Sequence, residues 1–149
     1  MLFRSGFATG FKGFGWINEI SGLLINYCNL GAVFDTYNGA LIDFVGEQNK
    51  QDFILFHSNG VHFTRLLIEG TAGTTPSIID GSLGVQIDGL YTEQKGRTVP
   101  WIKLGDMNYA RAITINGAMD DCGVGCEPLQ QNKVIDLKTT IYYSVGSGG

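Results

Sequence analysis

Charge is scarce in this sequence: 16% of its 149 residues are Asp, Glu, Lys or Arg, where about 25% is usual for a soluble domain. A surface so poor in charge must be covered by neutral polar groups, glycine and partners, which favours association over a solitary monomer. No run of Lys and Arg occurs and the net charge is -4, so the counterion-displacing surface that nucleic acid requires is missing. The three cysteines, Cys28, Cys122 and Cys126, form an odd set and no Asn heads a glycosylation sequon. Together these argue against a disulfide scaffold secreted through an endoplasmic reticulum. The opening Met-Leu-Phe-Arg-Ser-Gly lacks the apolar stretch of a signal peptide. The longest apolar segment, 23–34, is broken by Asn26 and Asn29 and is too short to span a bilayer. These absences predict a soluble protein made in a cytoplasm, with neither membrane nor nucleic acid as partner.

Catalytic signatures are missing too. There is no nucleophile elbow, phosphate-binding loop or two-histidine helical zinc motif. Gly123-Val124-Gly125 lacks the third glycine of a dinucleotide fingerprint. Acidic pairs such as Asp88 with Glu93, or Asp106 with Asp120, are of the kind that hydrolyses sugars, but any chain with fourteen carboxylates offers such pairs. The sequence therefore predicts a protein that is not an enzyme, with no cofactor and no metal.

What is present is turn chemistry. Asn38-Gly39, Asn59-Gly60, Asp80-Gly81, Asp88-Gly89 and Asn116-Gly117 each suit a type I′ turn, whose two central residues both need positive φ. Read as hairpins, they pair Phe56 with Phe63 and His57 with His62 on one, and Val33 with Phe44 on another. The first three pairs fall 21 residues apart, but with no resemblance read in their flanks the spacing suggests a regular meander and not a duplicated unit. Strands are expected over 84–92, 98–104 (an edge, because of Pro100), 111–115 and 134–145. In the last, Ile135, Leu137, Thr139, Ile141, Tyr143 and Val145 alternate with a second set, so one face should be core and the other wet. A short helical turn is expected within 16–24. The fold class predicted is all-β: an antiparallel β-sandwich or jelly-roll-like domain over 17–145, with an extended arm at 1–16 and a flexible tail at 146–149.

The arm repeats a glycine-aromatic pair: Gly6-Phe7, Gly10-Phe11, Gly13-Phe14 and Gly15-Trp16. So many glycines make an isolated element costly, yet four large aromatics are poorly placed in water. Phe7, Phe11, Phe14 and Trp16 are therefore candidate interaction residues, docking on the chain's own core or on another subunit. His57 and His62, facing across a hairpin at about 4.5 Å between Cα atoms, have only Cys122 or Cys126 to complete a zinc site, so two ordinary polar side chains are expected. The spacing of Cys122 and Cys126 allows either a loop-closing disulfide or two free thiols. Tyr91, Trp101 and Tyr109, with Asn108, Arg97 and Asp106 nearby in sequence, have the composition that stacks and hydrogen-bonds a sugar ring; the plainer reading puts Trp101 in the core.

The function expected is a non-enzymatic structural or assembly subunit that self-associates as a ring or trimer and docks through its aromatic arm. By association of class alone, the larger particle is a bacteriophage virion, with the chain as a head decoration, tail or fibre protein. The alternative is a carbohydrate- or receptor-binding β-sandwich module recognising a surface glycan.

Overall fold

The computed structural model describes residues 2–15, 19–70, 73–93, 97–123 and 125–144. Thirteen strands run through them: β1 (Leu2–Ser5), β2 (Thr9–Phe14), β3 (Glu19–Asn26), β4 (Leu30–Asp35), β5 (Leu41–Glu47), β6 (Gln51–Phe56), β7 (His62–Glu69), β8 (Ser77–Asp80), β9 (Gln86–Glu93), β10 (Ile102–Leu104), β11 (Ala110–Asp120), β12 (Leu129–Gln131) and β13 (Val134–Ser144). The odd-numbered strands form a seven-stranded sheet in chain order, and the even-numbered strands form a six-stranded sheet. Every strand pairing in both is parallel. The chain is thus a parallel β-solenoid of about five turns, and not the antiparallel sandwich or jelly roll read from its turn dipeptides.

The reason lies in one dihedral angle. A type I′ hairpin needs positive φ at both central residues. Gly39 (+67°) and Gly60 (+63°) have it, while the positive-φ non-glycine residues are Tyr27, Thr36, Gln48, His57, Ala112 and Asp136, and so not Asn38 or Asn59. One left-handed residue bends a chain through a corner without reversing it. Asn38 and Asn59 accordingly stack in a parallel bridge, continued by Leu83 and Arg111, and Asn59 Nδ2 donates to Asn38 Oδ1 at 3.2 Å. Gly81 (+59°) turns a second corner, while Gly89 (+63°) and Gly117 (+156°) lie inside β9 and β11, where the register slips by a residue. Phe63 pairs with Ile42 and Ile87, and Phe56 with Asp35 and Asp80.

The core is built of columns, because in-register parallel strands set like residues one above another. Ile20, Ile42, Phe63, Ile87 and Ile115 form one, and Leu23, Phe44, Leu66 and Leu90 a second. Across from them stand Phe34, Leu55, Ile79 and Leu104. Phe34 meets Phe44 and Phe63 edge-on, with centroids 6.0 and 5.9 Å apart. A single coil cannot bury its apolar face alone, so stability comes from stacking.

Several local expectations change with the architecture. Residues 19–24 are strand and not helix. β10 lies inside its sheet and not at an edge, starting only after Pro100. The glycine-aromatic leader supplies β1 and β2, which pair with β3 and β4. In β13, Asp136 (φ +57°) stands beside Ala112 (φ +51°) as a paired kink. Leu137 and Ile141 past it pack on the core, while Ile135 before it and Thr139 and Tyr143 after it are exposed. Cys122 and Cys126 are joined, with Cα atoms 5.5 Å apart, and Cys28 is a buried free thiol.

Candidate functional site

Alternation along a strand should leave the outer face of a solenoid sheet polar. On the seven-stranded sheet it does not. Leu24, Val45, Leu67, Tyr91, Ala118 and Tyr142 stand in register on six successive strands, forming an outward apolar stripe that ends at Tyr142, 76% exposed. Two polar columns flank it. One holds Asn26, Glu47, Glu69 and Glu93, and no ion pair reaches its glutamates among the described residues. The Tyr91 hydroxyl donates to Glu93 Oε2 at 3.1 Å; that bond, with the charges of Glu93, Asp120 and Glu69, pushes the phenol above its ordinary range.

The other column is self-satisfied. Arg65 pairs with Asp43 at 2.6 Å. Asp88 accepts from Asn116 at 2.9 Å and Gln86 at 2.6 Å and meets His62 Nε2 at 2.8 Å; these bonds, Asn116's first, hold its carboxyl below the usual range. His57 instead turns to Asp35, 3.5 Å away. The two histidines therefore take different partners, and no group of metal ligands forms among the described residues.

The six-stranded sheet carries an outer column of Lys12, Val33, Ile54, Ile78, Lys103 and Gln130, apolar in the middle, with Lys12 at one end and, toward the other, Lys103 paired with Asp106 at 2.6 Å. Phe14, 71% exposed, stands in the next column, in register with Asp35 and Phe56.

Inside the solenoid lies a buried polar cluster. Asn49 accepts from the Cys28 amide at 2.8 Å and donates to the Ile25 carbonyl at 2.9 Å and to Asp52 at 3.2 Å, tying neighbouring coils at a corner. Asp52 and Arg97 are each about 1% exposed and 3.9 Å apart, with Arg97 stacked 4.3 Å over the Trp101 ring. Burial pushes the Asp52 carboxyl up to about 6 against the opposing charge of Arg97 and the Asn49 hydrogen bond, and pushes Arg97 down. A pair so enclosed cannot meet a ligand, so its role is structural.

A groove of about 400 Å³ opens at the corner following β8. Its floor is Gly81, where a Cβ would press on His57 and approach Asn108. Its outer wall is the 105–109 loop, held from within by Asp80: Oδ1 accepts from the amides of Asp106 (2.9 Å) and Asn108 (2.8 Å), and Oδ2 from Asn108 Nδ2 (3.0 Å). Lys133 Nζ donates to the Met107 carbonyl at 2.8 Å. Arg111, fixed through its backbone to Ser82 and Gly84, closes the groove with its guanidinium 5.9 Å over the Tyr109 ring.

The residues singled out in the sequence are dispersed. Phe11 packs 5.7 Å from Phe34 against the core; Phe7 is half-exposed at a corner; Trp16 lies outside the described residues. Tyr91 belongs to the outer stripe, and Trp101 is fully buried with Nε1 donating to the Asp120 carbonyl at 2.9 Å. Tyr109 alone of the three lines the groove. The stripe and the groove's Arg111 were missed; the repeat of apolar residues at coil spacing was the available signal for the stripe. No family model, curated protein or solved structure matches this chain.

Proposed function

We propose that the chain is a non-enzymatic structural subunit that self-associates face to face, the outer stripe of the seven-stranded sheet of one copy meeting the outer column of the six-stranded sheet of the next. The observation that carries this is the run of apolar residues from Leu24 to Tyr142 across six strands of one exposed face, where isolated apolar side chains would need no explanation. A face seven strands wide at ~4.8 Å and about seven residues long at ~3.3 Å each is roughly 780 Å², close to the ~800 Å² per partner of a standard interface.

Charge favours this occupant. Glu47, Glu69 and Glu93, which make no ion pair among the described residues, border one face, and Lys12 stands at the end of the column on the other; Lys103 in that column is already paired with Asp106. A contact between two different faces closes into a ring if the rotation allows, one of the two assemblies expected of the chain. The Cys122–Cys126 bond suits a working life outside reducing surroundings, as in a released particle. That the particle is a virion rests on composition and class alone, and the fold adds nothing to it.

Light scattering tests the reading. Wild-type protein is expected well above 16.2 kDa, and Leu67→Lys, on an outward half-buried position, is expected to return it to the monomer mass with its β circular-dichroism signal intact. A wild type that stays monomeric at high concentration removes the proposal.

A further inference from the structure

From the lateral groove we infer a second site, independent of the assembly faces: it binds a carboxylate-bearing sugar. The volume of about 400 Å³ lies in the ~300–1,000 Å³ range of small-ligand sites, and the walls are already set. Asp80, 1% exposed, places three hydrogen bonds on the 105–109 loop, so little ordering remains to oppose binding.

The groups left over define the ligand. Arg111 makes no ion pair among the described residues, and no carboxylate lines the groove beside it. A planar guanidinium fork prefers a carboxylate, which it grips through two parallel bonds. Asn108 uses its Nδ2 on Asp80, which leaves Oδ1 as an acceptor for a hydroxyl. His57 has its Nδ1 3.5 Å from Asp35 and turns its Cδ2–Nε2 edge toward Gly81. Tyr109 and Met107, 51% and 75% exposed, offer an aromatic face and a thioether to the C–H groups of a ring. A bare inorganic anion would engage the cation only. A polyhydroxylated ring bearing one carboxylate engages the cation, the acceptor and the apolar wall together.

Titration calorimetry on the intact protein, in whatever assembly state it adopts, tests this with three probes: tetragalacturonate (carboxylates within the chain), 3′-sialyllactose (one carboxylate on the terminal sugar) and neutral maltotetraose. Saturable binding is expected for at least one acidic probe, at least tenfold tighter than for maltotetraose, and whichever acidic probe binds assigns the carboxylate's place. Arg111→Gln should weaken it tenfold or more, and Tyr109→Ala several-fold, with unaltered thermal melting. Should Arg111→Gln melt early, Arg111→Lys, which keeps the charge and loses the fork, is expected to weaken binding several-fold. Absence of saturable binding by both acidic probes, equal binding of maltotetraose, or indifference to the Arg111 variant would each overturn the inference.

Discussion

The early and late coils of this solenoid follow different rules. Between the stacked Asn38 and Asn59 the chain covers 21 residues; between Asp88 and Asn116, joined by a similar cross-coil hydrogen bond, it covers 28. The added residues leave the first inner column intact, since Ile87 and Ile115 still stack, while the register slips by a residue before Leu90 meets Gly117. Within that span lies the 105–109 loop that walls the groove, and the coil after it carries the Cys122–Cys126 bond. Tight coils thus supply a repeating support, and the longer ones carry what is particular to the chain, as insertions in repeat proteins commonly do.

The sharpest way to break this division is to remove the inserted residue that reaches the interior of the regular coils. Arg97→Met leaves Asp52 buried without its cation, and about 3–5 kcal/mol of stability should be lost at neutral pH. The sign of the pH dependence is fixed. With its carboxyl raised to about 6, folded Asp52 holds a proton that the unfolded chain gives up near ~4, so the site opposes folding increasingly as pH rises from about 4 to 6 and by a constant amount above. Without Arg97 the carboxyl rises further and the deficit should shrink on acidification. Urea unfolding at neutral and mildly acidic pH measures it; an equal deficit at both would show that the pair does not govern this corner.

Two glycines compare the halves directly. Gly105 has φ +67°, and a Cβ there would collide with the Lys133 backbone carbonyl. Gly60 has φ +63°, but the nearest atoms to its Cβ, those of Gly39, stand at 3.8 Å. Gly105→Ala should cost about 3 kcal/mol, the left-handed penalty plus overpacking, and Gly60→Ala about 1 kcal/mol, the penalty alone. Equal midpoints in chemical denaturation would mean that the inserted loop yields where the regular corner does not.

How much of this was legible follows from the same residues. Strand content and several strand positions, β9, β11 and β13 among them, could be read from alternation and β-branched composition, because both sheet types obey a period of two. Parallel winding could not be read from any one turn. Asn-Gly satisfies a hairpin and a solenoid corner equally, and only the φ of the asparagine separates them. The deciding signal was long-range: Tyr37-Asn38-Gly39-Ala40, Ser58-Asn59-Gly60-Val61 and Ser82-Leu83-Gly84-Val85 repeat small-or-aromatic, corner, glycine, small apolar, followed by matching Ile42, Phe63 and Ile87. Their likeness is of class and not of identity, so the 21-residue spacing passed for a meander. The groove was illegible because its parts, His57, Gly81 and Arg111, meet only through stacking. Tyr109 stood out for its composition, but nothing local links it to Asp80.

Where a corner lacks glycine, strain should be recoverable. Thr36 is β-branched at φ +56° in a column whose later member is Gly81, an outlying conformation for its type. Thr36→Gly should stabilise the fold by about 1 kcal/mol, less the backbone entropy that glycine adds to the unfolded chain. A raised denaturation midpoint checks this, and an unchanged one would place the corner's cost outside that residue.

The smallest effect expected has opposite signs at two levels of organisation, which is its use. Glu69 stands between Glu47 and Glu93 on neighbouring strands, and like charges opposed in a sheet destabilise by up to ~1 kcal/mol. Glu69→Gln relieves that repulsion, so the isolated subunit should melt about 1 to 2 °C higher at low ionic strength, a gain that salt removes by screening. If the acidic column faces Lys12 of a neighbouring copy, the same change withdraws an attraction across the interface, and association should weaken as folding strengthens. Melting curves and light scattering on one preparation then separate the two roles. A variant that melts higher and associates no less would leave the glutamate column as a cost borne within the subunit, and the face-to-face contact would have to exclude it.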